Sequence, residues 1–381
     1  AFISGGKEYQ DRIDILFDFM TQKGDEDDAD FSYRKFQNLY DFELKAGKDV
    51  ILDTLWKKLT HQTMREAWLE VKRMYDTLVA WYEDSMYYHY VGFLTTQGKT
   101  LHDIVTGIEK AKKDENGEEI KPWTREHIET ALKRLMAQTF NEMTAVRPED
   151  IDGWTYNGNN DIRGLLLLMN VETYKQTKYQ RFPFHSYIKE EWDIEHIDSQ
   201  NEATGLRASE DRLRWMRLTS DILMKEHHAI PNEKEAKALA EELTSVVREK
   251  TENGAIEDKD VKGLDSIYPT LYVKVVEHYS GKISEQQGNK HALGNLTLLD
   301  TALNRSYQDA PFPYKRQCVM DTDLRGDKFV PMCTKNVFLK FYTNSNSSAS
   351  FLDSMRWNKQ DQDNYLAAIH KVVDPIFETN I

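Results

Sequence analysis

The sequence predicts a mainly α protein, with an all-helical domain at residues 1–155 and a second domain at residues 156–381 that holds a small β unit. Three observations support this. Apolar residues recur at helical spacing through the first domain, strand signals are nearly absent before Trp192, and residues 208–247 are rich in Glu, Lys, Leu and Ala. We therefore expect a helical insertion within the second domain, at about 205–285.

The N-terminal domain is predicted to begin with a helix over residues 7–21, followed by an acidic loop at 24–30. Residues 49–90 carry a continuous helical pattern. Its aromatic stripe is more typical of a core than of a platform for stacking nucleic-acid bases. The stripe includes Trp68, Tyr75, Trp81 and Tyr82. A further helix is predicted from Thr124 to about Met143, with Thr124 as its cap.

The boundary between the two domains is predicted near residues 153–155, because the turn-forming segment at residues 157–161 follows it and should form a loop. The apolar run Gly164–Met169 is too short to span a bilayer and indicates a buried helix. Pro231 interrupts the insertion, which predicts at least two helices there, serving either as a clamp beside DNA or simply as a stabilising element. A terminal helix is predicted at residues 361–377.

The charge balance argues against a globally basic nucleic-acid-binding surface. The 381 residues include 50 Lys and Arg against 64 Asp and Glu, a net charge of −14. Between residues 286 and 340, however, eight Lys and Arg stand against five acidic residues, all Asp. Any DNA-binding surface must therefore be local, although a solvated surface could show the same excess by chance.

The cysteine content and the N-terminal sequence are informative about the cellular compartment. Cys318 and Cys333 are the only cysteines, and two thiols cannot make a zinc site by themselves. No signal peptide is recognisable, so a cytoplasmic location with reduced thiols is the expectation. The sequence begins at Ala1 without Met, which suggests a portion of a longer protein.

The candidate catalytic side chains lie in two short stretches of sequence about a hundred residues apart. The first, Trp192–Ile197, is a strand-like run that includes Glu195 and His196 side by side. The second, Gly294–Leu299, is a turn with Asn295 followed by leucines. A carboxylate can bind a hard divalent cation while a neutral imidazole takes a proton from water.

Two more side chains extend this set. Asn304 falls nine residues after Asn295, on a predicted helix that runs through residues 301–303, and Gln308 lies one turn further on the same face. Taken singly, each feature has a simpler explanation: a surface or core histidine, an ordinary Gly-Asn turn, and an Asn that caps a helix. Their order and spacing together favour metal-assisted cleavage of a phosphodiester.

This combination resembles the ββα-metal finger of HNH nucleases. With Phe182-Pro183-Phe184 and Pro311-Phe312-Pro313-Tyr314-Lys315, it resembles more closely the C-terminal part of the GmrSD-type restriction endonucleases, from about Ile162 onward. The resemblance implies that His196 is the general base and that Glu195 and Asn304 hold one Mg²⁺ or Mn²⁺. It also implies that Asn295 orients His196 or its loop. Three further residues are possible phosphate or DNA contacts: Gln308, Lys315 and Arg316.

The sequence departs from the usual finger in three ways. Glu195 stands where the acid is often Asp, and Asn304 where the helix position is often His, and both changes favour oxygen ligation and hence Mg²⁺. The insertion between the halves is also unusually long. The nucleotide-hydrolysis motif found at the N-terminus of GmrSD-type proteins is absent, so such a domain, or other subunits, would be a partner.

The sequence therefore predicts a metal-dependent DNA endonuclease that restricts foreign or modified phage DNA. Two alternatives stay open. The first is a catalytically inactive module of a defence complex that binds DNA or protein. The second is a nuclease directed at RNA, which the same finger could cleave.

Overall fold

The computed structural model describes most of the chain and confirms the mainly helical fold. The described residues are 12–21, 23, 27–39, 61–113, 116–140, 147–158, 161–177, 179–198, 209–230, 234–251, 261–280, 289–303, 310, 312–326, 328–342 and 357–380. They form two compact units. Unit 1 comprises residues 1–146, 174–185 and 376–381, and unit 2 comprises residues 147–173 and 186–375. The boundary predicted at residue 155 stays a prediction.

The described regular elements of unit 1 are helices joined by turns and loops. Its helices are α1 (Arg12–Thr21), α2 (Phe31–Leu39), α3 (His61–Glu83), α4 (Ser85–Thr96), α5 (Leu101–Lys110) and α6 (Arg125–Gln138). Thr124 is the N-cap of α6, as predicted, and its main-chain N–H donates to the His127 side chain. Within the predicted acidic loop at 24–30, residues 27–30 are described and form a bend and a turn, whereas residues 24–26 lie outside the described residues. Helix α6 ends at Gln138 with Thr139 as its C-cap, short of the predicted Met143, and residues 141–146 are not among the described residues.

The continuous helix predicted for residues 49–90 is wrong within the described part. The helix is interrupted at Asp84, between α3 and α4. The Asp84 carboxylate caps α4 by accepting hydrogen bonds from the main-chain N–H groups of Met86 and Tyr87. A capping carboxylate satisfies donors that would otherwise be orphaned, so it starts a new helix where the pattern alone suggested continuity. Residues 49–60 lie outside the described residues.

The aromatic stripe on α3 is only partly core, which corrects the prediction. Trp81 is buried, whereas Trp68, Tyr75 and Tyr82 are 66%, 58% and 52% exposed. These three residues are seven apart, so they share a helix face that adjacent residues such as Trp81 do not. The guanidinium of Arg181 lies 4.6 Å from the ring centroid of Tyr82 and covers part of that face.

Unit 2 holds the paired strands of the described chain. Strand β1 (Trp192–His196) pairs antiparallel with β2 (Leu296–Asp300), with Trp192 opposite Asp300 and His196 opposite Leu296. Helix α7 (Ile162–Gln176) precedes them and buries Leu165 to Met169, as the apolar run predicted. The short helix α8 (Phe184–Lys189) leads into β1.

The predicted insertion contains three described helices: α9 (Ser209–Ala229), α10 (Lys234–Lys250) and α11 (Val261–Ser280). Pro231 lies between α9 and α10, which confirms the predicted interruption. The ring of Trp215 of α9 packs edge to face against the ring of Tyr268 of α11, with 5.3 Å between the ring centroids. The hydroxyl of Ser220 donates to the main-chain oxygen of Ala240 across α9 and α10.

Three further helices close the rest of unit 2: α12 (Phe312–Arg325), α13 (Met332–Phe338) and α14 (Lys359–Phe377), the last as predicted. Phe312 stacks on Phe338 and on Trp357, each at 5.6 Å between ring centroids. This packing anchors α12 so that Lys315 reaches the β1–β2 pair. Among the described helices, none has the length and apolar character needed to cross a membrane.

Candidate active site

The two strands place the sequence-predicted residues at one end of the β pair. His196 is the last residue of β1, and Asn295 immediately precedes β2, so the two lie next to each other in the register. At the other end of β2 a helical turn begins at Thr301. The Asp300 carboxylate caps it by accepting from Ala302 N at 3.0 Å and Leu303 N at 3.2 Å. The described part of the site therefore consists of the strands β1 and β2 and the start of a helix directly after β2.

Asn295 uses its whole amide group to hold the loop that follows His196. Its Oδ1 accepts from Asp198 N at 3.1 Å, and its Nδ2 donates to the main-chain oxygens of Asp198 and Lys290 at 2.9 and 2.8 Å. Its own main-chain oxygen accepts from Ile197 N at 2.8 Å. The side chain is buried, so Asn295 positions the loop through contacts that water cannot easily replace.

Gly294 allows this turn to sit against the start of α14. A Cβ at this position would lie 2.5 Å from the main-chain oxygen of Gln362, far inside a normal contact. The indole N–H of Trp357 also donates to Gly294 O at 3.2 Å. The glycine of the Gly-Asn pair is therefore required by the close approach of the Gln362 backbone.

Glu195 and Lys315 form a buried ion pair beneath the strand end. Lys315 is fully buried, and its ammonium donates to Glu195 Oε1 and, at 2.7 Å, to the main-chain oxygen of His196. Lys315 therefore faces the protein interior, not a phosphate in solvent. Arg316 is likewise engaged internally, since its Nε donates to Phe338 O at 2.9 Å.

His196 is half-buried and is held neutral by its surroundings. Burial, followed by the nearby charge of Lys315 and then by His291 and Lys290, lowers the pKa of His196 to about 4. Its Nε2 is buried and has no hydrogen-bond partner among the described residues. The residue as a whole keeps part of its surface exposed.

Two residues that sequence reasoning did not single out lie against His196. The ring centroid of His291 is 5.6 Å away and nearly perpendicular, and that of Tyr156 is 4.8 Å away. Tyr156 is 45% exposed and lies nearly parallel to the His291 ring at 6.4 Å. The only sequence signal was the position of His291, four residues before Asn295. Nothing local pointed to Tyr156.

A third residue absent from the predicted set, Asp198, completes the loop after His196. Its Oδ1 accepts from Phe312 N at 2.9 Å, which ties the loop to the start of α12. Burial raises the pKa of the Asp198 carboxyl, while the Phe312 hydrogen bond and the charges of Lys315 and Lys340 oppose that shift.

The described residues do not provide a complete metal site. No three His, Cys, Asp or Glu side chains come together as ligands within the part of the chain that the structure describes. Glu195, the predicted ligand, accepts instead from the Lys315 ammonium. Asn304 and Gln308, the other predicted contributors, lie outside the described residues. The described donor set therefore does not fit a divalent cation as it stands.

Comparison with known proteins identifies one region of the chain. Residues 229–371 match the family model of the GmrSD restriction endonucleases, C-terminal domain. The match covers β2, Asn295, Lys315 and Arg316, whereas β1 with Glu195 and His196 precedes it. No curated protein and no solved structure matches the chain.

Proposed function

We propose that this chain is a DNA endonuclease with His196 as general base, because residues 229–371 match the family model of the GmrSD restriction endonucleases, C-terminal domain, the type that the sequence motifs resemble. The family match supports a nuclease role in restriction. The HNH mechanism, the requirement for Mg²⁺ or Mn²⁺ and the action on foreign or modified phage DNA are parts of the proposal. A partner domain that hydrolyses nucleotides is also part of it.

One observation carries the proposal: a half-buried histidine ends β1 beside the Asn295 turn, and its surroundings lower its pKa. A base must be unprotonated to accept a proton, and the lowered pKa of His196 keeps the ring neutral at physiological pH. Lys290 contributes positive charge near it, which suits the approach of a phosphodiester. The local basic excess of residues 286–340 is consistent with this placement.

The protein side of the reaction then follows from this geometry. A water beside His196 gives its proton to the imidazole as its oxygen attacks phosphorus, and the bond from phosphorus to the 3′ oxygen breaks. The leaving oxygen takes a proton from solvent. Asn295 contributes by holding the loop after His196, and Lys315 by holding the His196 carbonyl, so neither needs to touch the substrate.

Glu195 and Asn304 are the proposed ligands of the divalent cation, which when bound would stabilise charge on the scissile phosphate. The Glu195 contact with Lys315 does not fit an open ligand position. We therefore treat metal dependence as a separate question from the role of His196. The two questions require separate arms of the experiment.

The test is plasmid nicking by the purified chain, with Mg²⁺, with Mn²⁺ and with EDTA, on modified and unmodified DNA. His196→Ala is expected to lower the rate by about 10²- to 10⁴-fold, the usual contribution of a general base. His228→Ala, an exposed histidine at the end of α9, is the matched control and should nick like the parent chain. Circular dichroism of both variants confirms folding. Equal nicking by His196→Ala and the parent chain would refute the role of His196.

One observation favours a second candidate, the catalytically inactive binding module. Lys315 neutralises Glu195 in the buried interior, an arrangement that suits a site with no use for a cation. Failure to nick DNA with any metal, together with retained DNA binding, would support this candidate. Cleavage of RNA but not DNA in a parallel assay would instead support an RNA-directed nuclease.

A further inference from the structure

We propose that Tyr156 is a substrate-binding residue of the candidate active site and that its ring stacks on an unpaired base beside the scissile phosphate. This inference rests on the proposed function, because it assigns a substrate contact next to His196. It also narrows the substrate class to DNA that is single-stranded, or locally unpaired, at the point of cleavage. Tyr156 belongs to none of the sequence motifs that predicted the site.

Tyr156 lies against the proposed base and is open to solvent. Its ring centroid is 4.8 Å from that of His196, with an angle of 60° between the ring planes. The residue is 45% exposed, whereas the motif residues Glu195, Asn295 and Lys315 are 4%, 1% and 0% exposed. Of these four neighbours of His196 in the site, Tyr156 is therefore the one that can meet a nucleotide arriving from solvent.

The main chain fixes the position of Tyr156 and leaves the residue exposed. Its N–H donates to the His291 main-chain oxygen at 2.9 Å, and Gly158 N donates to Thr155 O at 2.8 Å. An isolated β-bridge pairs Thr155 with Ala292. A tyrosine side chain has two torsions, so on a fixed backbone it loses little conformational entropy when it makes a contact. Tyr156 is thus preorganised for binding.

Lys290 supplies the charge that complements this ring. It is half-buried, and its charge acts on His196, whose pKa is lowered first by burial and then by Lys315, His291 and Lys290. A nucleotide joins an anionic phosphate to a flat base through one sugar. A cation and an exposed aromatic ring that both neighbour one histidine match these two parts. A base stacks on a protein ring only after it leaves its own duplex stack, so the match selects an unpaired strand.

The experiment measures binding of a short fluorescent single-stranded DNA to the full chain by anisotropy, in EDTA to suppress metal-dependent cleavage. Tyr156→Leu keeps apolar bulk without an aromatic face and should weaken binding by about 5- to 150-fold, the usual effect of losing one stacked base. Tyr156→Phe keeps the face and should bind like the parent chain. Tyr75→Leu, at a tyrosine of unit 1 that is 58% exposed, is the matched control and should also bind like the parent chain.

The salt dependence of binding separates stacking from phosphate contact. The slope of the logarithm of the binding constant against the logarithm of the salt concentration should be unchanged in Tyr156→Leu. It should become shallower by about 0.7 in Lys290→Met, because one phosphate contact on a single strand is lost. If Tyr156 only supported the ring of His196, Tyr156→Leu would slow nicking without weakening binding, and this result would overturn the inference.

The outcomes for this inference and for the proposed function are distinct. Parent-like binding by Tyr156→Leu would overturn the stacking contact, and so would binding of the duplex as tightly as the single strand. Plasmid nicking by the parent chain would in that case still support the nuclease. Binding that depends on Tyr156, in a chain that cleaves neither DNA nor RNA, would instead support the stacking contact and refute the nuclease.

Discussion

At the scale of single residues, the ion pair between Glu195 and Lys315 has the clearest energetic consequence. Both side chains are buried, and the Lys315 ammonium also binds the main-chain oxygen of His196. A buried pair contributes little net stability relative to apolar residues of similar shape. Removal of one partner, however, leaves a buried charge without compensation. The pair therefore makes the end of β1 dependent on α12.

This reasoning predicts that Lys315→Met destabilises the chain by about 3–5 kcal/mol. Glu195→Gln combined with Lys315→Met should recover most of that loss, because neither charge is then left alone. Urea unfolding followed by circular dichroism measures both. Lys335→Met, at a partly exposed lysine paired with Asp323, is the control and should cost about 1 kcal/mol or less. A similar small cost for Lys315→Met would show that the pair is not formed.

Asn295 gives a second prediction at this scale. Asn295→Ala removes three side-chain hydrogen bonds, which Asn295 makes to the main-chain groups of the half-buried Asp198 and Lys290. We expect a loss of about 2–4 kcal/mol in the free energy of unfolding, together with slower nicking. Asn295→Asp keeps the acceptor for Asp198 N but loses both donated bonds, so it should not restore the parent chain. Unfolding midpoints close to the parent value would contradict this role.

At the scale of secondary-structure elements, the turn before β2 is fixed by its contact with α14. Gly294→Ala would place a Cβ 2.5 Å from the Gln362 carbonyl, and the clash is with backbone, so it cannot be relieved by a rotamer change. We expect destabilisation of about 1–3 kcal/mol, measured by thermal unfolding. Gly153→Ala is the matched control, since no atom lies within 4 Å of the added Cβ. Equal melting of the two variants would contradict the prediction.

Helices α9 and α11 of the insertion pack on each other through aromatic side chains. Helices α9, α10 and α11 bury Trp215, Tyr268 and Tyr272 among themselves. The aromatic residues make close ring contacts within the insertion, at 5.3 and 5.6 Å from Trp215. These contacts account for stabilisation by the insertion itself, while its predicted use as a clamp beside DNA stays a prediction.

At the scale of the whole molecule, acid should weaken unit 1 through His89. Phe182 N donates to His89 Nε2 at 3.2 Å, and His89 Nδ1 contacts Ser85 O at 2.6 Å, so the folded chain favours the neutral ring. Burial, helped by the nearby charges of Lys175 and Arg181, lowers the pKa of His89 to about 4. The unfolded chain binds this proton near its ordinary pKa of 6.5, so the stabilisation is present above pH 6.5 and is lost as the pH falls toward 4.

His370 should act in the opposite direction in unit 2. Its ring contacts the carboxylates of Asp152 and Asp374, each at 2.9 Å, and these partners raise its pKa although burial opposes them. A raised pKa gives stability that is present below the ordinary pKa of histidine and is lost as the pH rises through the folded value.

The predicted measurement is the unfolding free energy between pH 4 and pH 7. His89→Gln should reduce the acid-side loss by roughly 3 kcal/mol, and the part that comes from His196, whose pKa is also lowered to about 4, should stay. His370→Gln should flatten the change on the neutral side and leave the acid side as in the parent. His228→Gln serves as the control. A parent-like acid slope in His89→Gln would exclude His89 as its source.

The sequence by itself determined the helical fold class, the strand at Trp192–His196 and the order of the chemical residues. These features depend on local periodicity and on short motifs, which a single stretch of chain contains completely. The burial of Lys315 and the contacts of His291 and Tyr156 with His196 were decided only by the tertiary structure. Each joins segments 40 or more residues apart, and local patterns do not specify which distant side chains meet. The exposure of Trp68, Tyr75 and Tyr82 on α3 was likewise decided by the tertiary structure. Packing partners, and not apolar spacing alone, decide which face of a helix is buried.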